Sequence, residues 1–454
     1  MATGSAMSDI QSANRRLLAI QRTLAGSGSW RRVLILPDDA RVDVDQAQDA
    51  SQPTKVAIDG QVVGLYRALP RSLALVISAI GTPHETSADH VPKSPLLEIL
   101  APAAADANAP ASISVPDLWA IIYTLHTLLH TQETIPIVLS PTIKNAAELS
   151  AYLLNSGLAR KRHTLPEDTS SAAEPELFLL RQTFWQGAGT VSYHTRGWLR
   201  GHLAHLASAP FPYTQSFTRT PLVIAAHPLR PPKPRPGEVI YRRYIPTLGQ
   251  MLEFTYFDLD LDGERPTVEC EGERVSPHLA AFHRWHNSDH VNRGWGERGP
   301  LEKHRAYVRS LMADPSTMPI MMSWDGELMG YAELVYTKEN HVAPYVPGGA
   351  WDYDRGLHVL VGEQKFRGIH RSKAWFSAVH HVLFLSDART ERVIGEPKLA
   401  NAQVIKLSED VAMNVQTVFD FPYKRSAMTW LPRERFFKYD ILSFWEDKDS
   451  PAYR

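Results

Sequence analysis

Apolar positions in the second half of the chain switch between two periods. Glu327 to Tyr336 (ELMGYAELVY) and Gly356 to Val361 (GLHVLV) are rich in β-forming residues and predict strands. Lys373 to Leu385 (KAWFSAVHHVLFL) has helical periodicity after a polar, glycine-containing turn. Arg392 to Gly395 (RVIG) predicts a short strand and Ala400 to Asp410 a second helix. This order predicts an α/β (α+β) domain with a helix packed on a sheet. The first half repeats part of it. At a constant offset of 256, LWAIIYTLHTLLHTQETIPIVLSPTIKNA aligns without a gap on AWFSAVHHVLFLSDARTERVIGEPKLANA. Trp119, Pro141, Asn145 and Ala146 then match Trp375, Pro397, Asn401 and Ala402, as an internal duplication of one fold would place them. The Pro-rich run from Pro228 to Pro236 (PLRPPKPRP) can neither continue a helix nor donate to a central sheet, and predicts an interdomain linker. The expected division is 1–227, linker 228–236 and 237–454, with surface loops at 103–112 and 166–175.

Composition narrows the function classes. The chain has 454 residues, 44% of them apolar and 21% charged; 48 basic and 49 acidic residues leave a net charge of -1. A polyanion partner calls for a basic excess, so a dedicated nucleic-acid binder is not expected. Cys270 is the one cysteine, which excludes an intramolecular disulfide framework and any multi-cysteine metal centre. No apolar run approaches the roughly 20 residues of a membrane helix. Neither a secretory signal nor a C-terminal Ser-Lys-Leu address is visible, and the expected location is intracellular, cytoplasmic or peroxisomal.

Candidate chemistry begins in the loop after the Gly356–Val361 strand, GEQKFRGIHRSK. Strand, basic Gly-containing turn and helix N-terminus together form an anion site, where backbone N–H groups and the helix dipole favour a group such as pyrophosphate. The residues concerned are Val361, Phe366, Arg367, Gly368, Ile369, His370, Arg371, Ser372 and Lys373.

This loop, with its preceding strand and the later Glu396-Pro-x-x-x-Asn401 element, resembles the acyl-CoA-binding core of the GNAT acetyltransferase fold. More narrowly, FHRWHNSDHVNRGW (282–295), GYAELVYTKENHVAPY (330–345), YDRGLHVLVGE (353–363), FRGIHRSKAW (366–375) and RVIGEPKLANAQ (392–403) resemble the acyltransferases of siderophore biosynthesis. FDFPYKRSAMTWLPRERFF (419–437) is similar to that family's closing strands. Within the family the chain is most similar to fungal two-domain enzymes that load an anhydromevalonyl group onto N5-hydroxyornithine for a hydroxamate siderophore. The resemblance implies two GNAT-like domains, an N-terminal degenerate one and a C-terminal catalytic one. Acyl-CoA would be co-substrate, with no permanent cofactor and no metal, N5-hydroxyornithine the acceptor, and a homodimer the plausible assembly. It also implies that pantetheine lies in a splay between two strands, with Asn401 among the CoA-binding residues. Its degenerate half would replace Glu396 by Ser140 and the basic loop by residues 103–112, which hold no Arg or Lys.

An N-hydroxylamine is mostly neutral at neutral pH, so its acylation needs no strong base. It needs an acceptor for the proton released as the N–C bond forms, stabilisation of the oxyanion and departure of the thiolate. His358 sits mid-strand and Glu396 ends the next strand, which brings imidazole and carboxylate to one site. The resemblance implies His358 as general base and Glu396 as its orienting or second acid–base group. Backbone N–H groups around Glu333–Tyr336 are the expected oxyanion donors. The residue seven after Asn401 is Ser408, where many members of the fold carry a thiolate-protonating Tyr. For the acceptor's zwitterionic head and aliphatic stem the candidates are Trp285, His286, Asn287, Trp295, Glu333 and Asp354. His283, His286 and His290 share a helical spacing, but lack a further ligand for a metal. Two alternatives stand beside this reading: an acetyl-CoA-dependent hydroxyornithine or hydroxylysine acetyltransferase, and a non-catalytic CoA-binding scaffold.

Overall fold

The structure is a computed structural model that describes residues 30–45, 52–70, 75–76, 93–102, 111–161, 176–259 and 266–443. The chain forms two compact units that divide between Gly197 and Trp198. The expected loop at 166–175 and most of that at 103–112 lie outside the described residues.

The first unit is built on β1 (Trp30–Ile35), β2 (Arg41–Asp45), β3 (Thr54–Ile58), β4 (Gln61–Ala68), β5 (Leu97–Leu100), β6 (Thr134–Leu139), β7 (Ala159–Lys161) and β8 (Leu177–Leu180). They form one sheet in the order β1-β2-β3-β4-β5-β6-β8-β7. Helix α1 (Val115–Leu128) crosses from β5 to the parallel β6, and α2 (Ala146–Asn155) precedes β7. Ser114 caps α1 by accepting from the Asp117 N–H at 3.2 Å. The helix is buried from Leu118 to Thr127, so its sequence reads apolar nearly all round.

The second unit carries β9 (Val239–Ile245), β10 (Gln250–Tyr256), helices α3 (Pro277–His286), α4 (Asp289–Trp295) and α5 (Leu301–Ala313), then β11 (Thr317–Trp324) and β12 (Glu327–Tyr336). After them come β13 (Arg355–Val361), α6 (Ile369–Ser386), β14 (Arg392–Gly395), α7 (Ala402–Asp410), β15 (Asn414–Phe421), β16 (Lys424–Pro432) and α8 (Arg433–Lys438). The sheet order is β9-β10-β11-β12-β13-β14-β16-β15, which repeats the first sheet strand for strand. In both, the fifth and sixth strands are parallel and joined by a buried helix. Adding 256 to α2 gives 402–411, on α7; adding it to α1 gives 371–384, inside α6.

The predicted strands 327–336 and 392–395 are reproduced as β12 and β14, and β13 gains Arg355. Helix α6 starts four residues earlier than its apolar period suggested, at Ile369. Gly368, at φ +135°, adopts a backbone conformation that L side chains rarely take and so ends the loop there.

The Pro-rich run does not separate the units; it is a strap on the second. The Arg230 guanidinium is buried against both carboxylate oxygens of Glu339, at 2.5 and 2.6 Å, and stacks 3.7 Å from the Tyr336 ring centre. Lys233 donates to the Leu311 and Met312 carbonyls at 2.6 and 2.9 Å, closing the last turn of α5. Proline marked a segment without regular structure, but its charged residues pin it down. Arg230→Ala leaves the Glu339 carboxylate buried without its main partner and should cost about 3–5 kcal/mol in urea unfolding. Arg230→Met with Glu339→Leu should cost much less, and equal costs would contradict the buried-pair account.

Candidate active site

Strands β12 and β13 pair antiparallel with Glu333 directly opposite His358, so the two side chains rise side by side from one face. His358 Nδ1 lies 2.8 Å from Glu333 Oε2. The other Glu333 oxygen accepts from the Tyr307 hydroxyl at 2.7 Å and the Tyr331 hydroxyl at 3.1 Å. On its far edge β13 meets β14 only at Arg355–Val393 and Gly356–Ile394. Beyond that point the strands part. Glu396, just past β14, returns to the gap and sets Oε1 3.4 Å from His358 Nε2. Lys424, at the start of β16, donates to the Glu396 backbone carbonyl at 3.0 Å and lies 3.4 Å from Oε1. The Trp295 ring stands edge-on to His358 at 6.5 Å, and His341 lies 6.4 Å away. The His358 side chain is 26% exposed and the Glu333 side chain 4%, so the imidazole is the part a substrate can meet.

The electrostatics of the three groups are coupled. Burial alone would lower the His358 pKa, but hydrogen bonds and charge from Glu333 and Glu396 override it and raise it to about 10. Burial works against ionised Glu396, yet His358 and then Lys424 hold its pKa down at about 2. Glu333 likewise titrates below its ordinary value despite burial, because His358 and the two tyrosine hydroxyls bond its charged form. The resting unit is therefore an imidazolium between two carboxylates.

The basic loop is placed as expected, but its cations are not equivalent. Gly362 backs onto the Trp285 indole, and a Cβ there would lie 2.1 Å from a ring atom. Arg367 sits at the mouth of the loop, with Nη2 only 3.4 Å from the Val361 carbonyl and 3.5 Å from that of Gly362. Arg371 is buried, bonding Gln250 at 2.9 Å and lying over Phe366. Lys373 pairs with Asp410 at 3.6 Å. Ile369, His370 and Ser372 form the first turn of α6, where the Ser372 N–H donates to the Gly368 carbonyl at 2.9 Å. Asn401 caps α7 by accepting from the Val404 N–H at 3.3 Å, and the Ser408 hydroxyl turns back to the Val404 carbonyl at 2.9 Å.

The acceptor candidates separate into two groups. Glu333 and Trp295 border His358. Trp285 is core, 2% exposed and donating to Glu363 at 2.8 Å. His286 is buried with Nδ1 on the Phe282 carbonyl at 2.9 Å. Asn287 pins the Gly299 backbone through both ends of its amide, each at 3.0 Å. Asp354 is held by Arg392 at 2.9 and 2.7 Å. The expected oxyanion donors on 333–336 are also committed, because β12 is paired to β11 on one edge and β13 on the other. The unpaired edge belongs to β13 beyond Gly356. His283 bonds His304 and Glu271 at 2.8 and 3.0 Å. Among the described residues no group of three His, Cys, Asp or Glu side chains is arranged to hold a metal ion. No helix among them is long and apolar enough to cross a membrane.

Sequence reading missed Tyr307, Tyr331, His341 and Lys424, and gave Glu333 to the substrate. The long 337–354 connection hides the β12–β13 register, which a tight hairpin would have disclosed.

A sheet splayed between parallel strands, a helix N-terminus at its open end and a buried acid–base group across the gap define an acyltransferase of the GNAT class. The acetyltransferase (GNAT) domain family matches residues 274–421. The chain is 40% identical over 346 residues to acyltransferase ato1 of Omphalotus olearius, covering 76% of this chain and 81% of that one. It is 38% identical over 278 residues to the N(5)-hydroxyornithine:cis-anhydromevalonyl coenzyme A-N(5)-transacylase SIDF of Beauveria bassiana, covering 57% of each. A hydroxyornithine transacylase of Ajellomyces capsulatus is 34% identical over 343 residues, 73% of each chain. This chain belongs to the same family of fungal GNAT acyltransferases and is an N-acyltransferase.

The His358 pKa, raised from 6.5 to about 10, makes its stabilisation complete below pH 6.5 and lost as pH rises toward 10. Glu396, lowered from 4.5 to about 2, stabilises above pH 4.5 and stops doing so as pH falls toward 2. Thermal melts should therefore show the gap between wild type and His358→Gln narrowing from about pH 6.5 to about 10. A constant gap would contradict an ion-paired imidazolium.

Proposed function

We propose that this enzyme transfers the acyl group of an acyl-CoA, anhydromevalonyl-CoA in preference to acetyl-CoA, to the side-chain nitrogen of N5-hydroxy-L-ornithine, making the hydroxamate unit of a siderophore. The observation that carries the reading is the Glu333–His358–Glu396 unit set across the β13–β14 splay. The names of the two hydroxyornithine transacylases support the acceptor, and that of the Beauveria enzyme supports the donor.

The neutral hydroxylamine nitrogen attacks the thioester carbonyl carbon, and the carbonyl π-pair moves to oxygen. The ammonium formed on nitrogen is strongly acidic, so a weak base suffices to take its proton. His358 already carries a proton between two anions, which moves the acceptor role from its imidazole to the Glu396 carboxylate. His358 holds that carboxylate ionised and aimed, while Glu333, bonded by Tyr307 and Tyr331, holds His358. Backbone N–H groups on the open edge of β13 stabilise the oxyanion. Collapse re-forms the carbonyl and breaks the C–S bond, and CoA leaves as thiolate. Cys270 lies on the short Val268–Cys270 strand, outside this group, so direct transfer is favoured over an acyl-enzyme.

Thiol release from anhydromevalonyl-CoA and acetyl-CoA, each offered N5-hydroxyornithine, ornithine or N6-hydroxylysine, tests the assignment. Rapid release only with hydroxyornithine, faster from the anhydromevalonyl thioester, is expected. Release with no pair by a protein that still binds CoA would overturn it in favour of a CoA-binding scaffold. Glu396→Gln should lower kcat by roughly 10²–10⁴-fold with the donor KM little changed. Arg367→Ala should instead raise the donor KM by about tenfold, the scale of one charge-assisted hydrogen bond.

A further inference from the structure

We propose that Lys398 is the cation that receives the acceptor's α-carboxylate and so makes the enzyme select an amino acid over a simple hydroxylated amine. The inference rests on the acceptor assigned above and names the group that reads its head.

Lys398 lies two residues after Glu396, on backbone that is fixed rather than loose. It forms a bridge with Ser426, and its neighbours complete the pattern: Ala427 N–H to the Pro397 carbonyl at 3.0 Å and Leu399 N–H to the Arg425 carbonyl at 2.9 Å. From there its ammonium reaches the last turn of α4, 3.5 Å from the Gly294 carbonyl. The next residue, Trp295, stands edge-on to His358. Lys398 thus links the segment that carries Glu396 to the helix end that carries Trp295, the two elements on either side of His358.

Its charge is uncommitted. Among the described residues no carboxylate pairs with Lys398, and a carbonyl at the outer limit of hydrogen bonding is a weak partner for an ammonium. Lys424, the cation beside the acid–base unit, is already engaged with Glu396. An exposed ammonium beside the helix end that carries Trp295 fits a carboxylate held a short aliphatic stem away from the reacting nitrogen. The competing explanation is purely local, that Lys398 only caps the C-terminus of α4.

Steady-state kinetics with two acceptors separate these. One is N5-hydroxyornithine; the other is N-hydroxy-1,4-diaminobutane, the same molecule without the carboxylate. Lys398→Met should raise KM for hydroxyornithine by roughly 10–100-fold with kcat within about twofold, and Lys398→Arg should restore much of the loss. The decarboxylated acceptor, already poor with the wild type, should become no poorer with Lys398→Met. Equal losses on both acceptors, or no loss on either, would overturn the proposal in favour of the helix cap. If the wild type transfers to neither compound, the reaction assigned above fails. Calorimetric binding of hydroxyornithine then decides Lys398 separately, with weaker binding by Lys398→Met supporting it and unchanged binding overturning it.

Discussion

The gap between β13 and β14 is the constraint on which the rest of the site depends. Two parallel strands that pair at only two positions leave backbone hydrogen-bonding groups exposed on an interior edge, a cost that a closed sheet avoids. The side chains across the gap use that opening. Glu333 and His358 are placed by strand register, while Glu396 is placed by the bend after β14 and held by Lys424. The result is a negatively charged imidazolium–carboxylate unit at the opening between β13 and β14. Each anion is satisfied by named donors, which lets two carboxylates sit so close to one imidazole without either taking a proton from solvent.

The first unit shows what the same topology does without that opening. Its β5 and β6 pair at Leu97–Ile137, Glu98–Val138 and Ile99–Leu139, and the Ser140 N–H then donates to the Ile99 carbonyl at 2.8 Å. The strands stay joined to the point where their counterparts have parted. Ser140, at the position of Glu396, is buried and accepts from the Thr142 hydroxyl at 3.0 Å. Equal strand order with opposite behaviour at one junction is the mark expected of a duplicated fold that kept its architecture but not its opening between the fifth and sixth strands.

Much of this was legible in the sequence because it is local. The strands around Glu333 and His358, the body of α6 and the short strand before Glu396 all follow from periodicity and turn chemistry, although Gly368 starts α6 four residues before its apolar period. The offset that matched Trp119 to Trp375 found the repeat before any sheet was visible. What escaped depends on pairing across distant segments. Tyr307 on α5 and Lys424 on β16 reach the site only through tertiary packing. Trp285 reads as a ligand-binding aromatic in a line of sequence and proves to be a wedge behind Gly362. Asp354 looked available because its buried pairing with Arg392 joins segments 38 residues apart. The Pro-rich run misled for the opposite reason: irregular backbone can still be firmly anchored, here by buried Arg230 and half-buried Lys233.

The central claim is that His358 rests as an imidazolium and that the carboxylate of Glu396 is the proton acceptor. Nitrogen-15 NMR of histidine-labelled protein, with His358 assigned by its loss in His358→Gln, reads the protonation of both ring nitrogens directly. The account predicts two N–H nitrogens at neutral pH, persisting until the pH nears about 10. A neutral ring at pH 7, with one bare nitrogen facing Glu396, would contradict it and return the base role to His358.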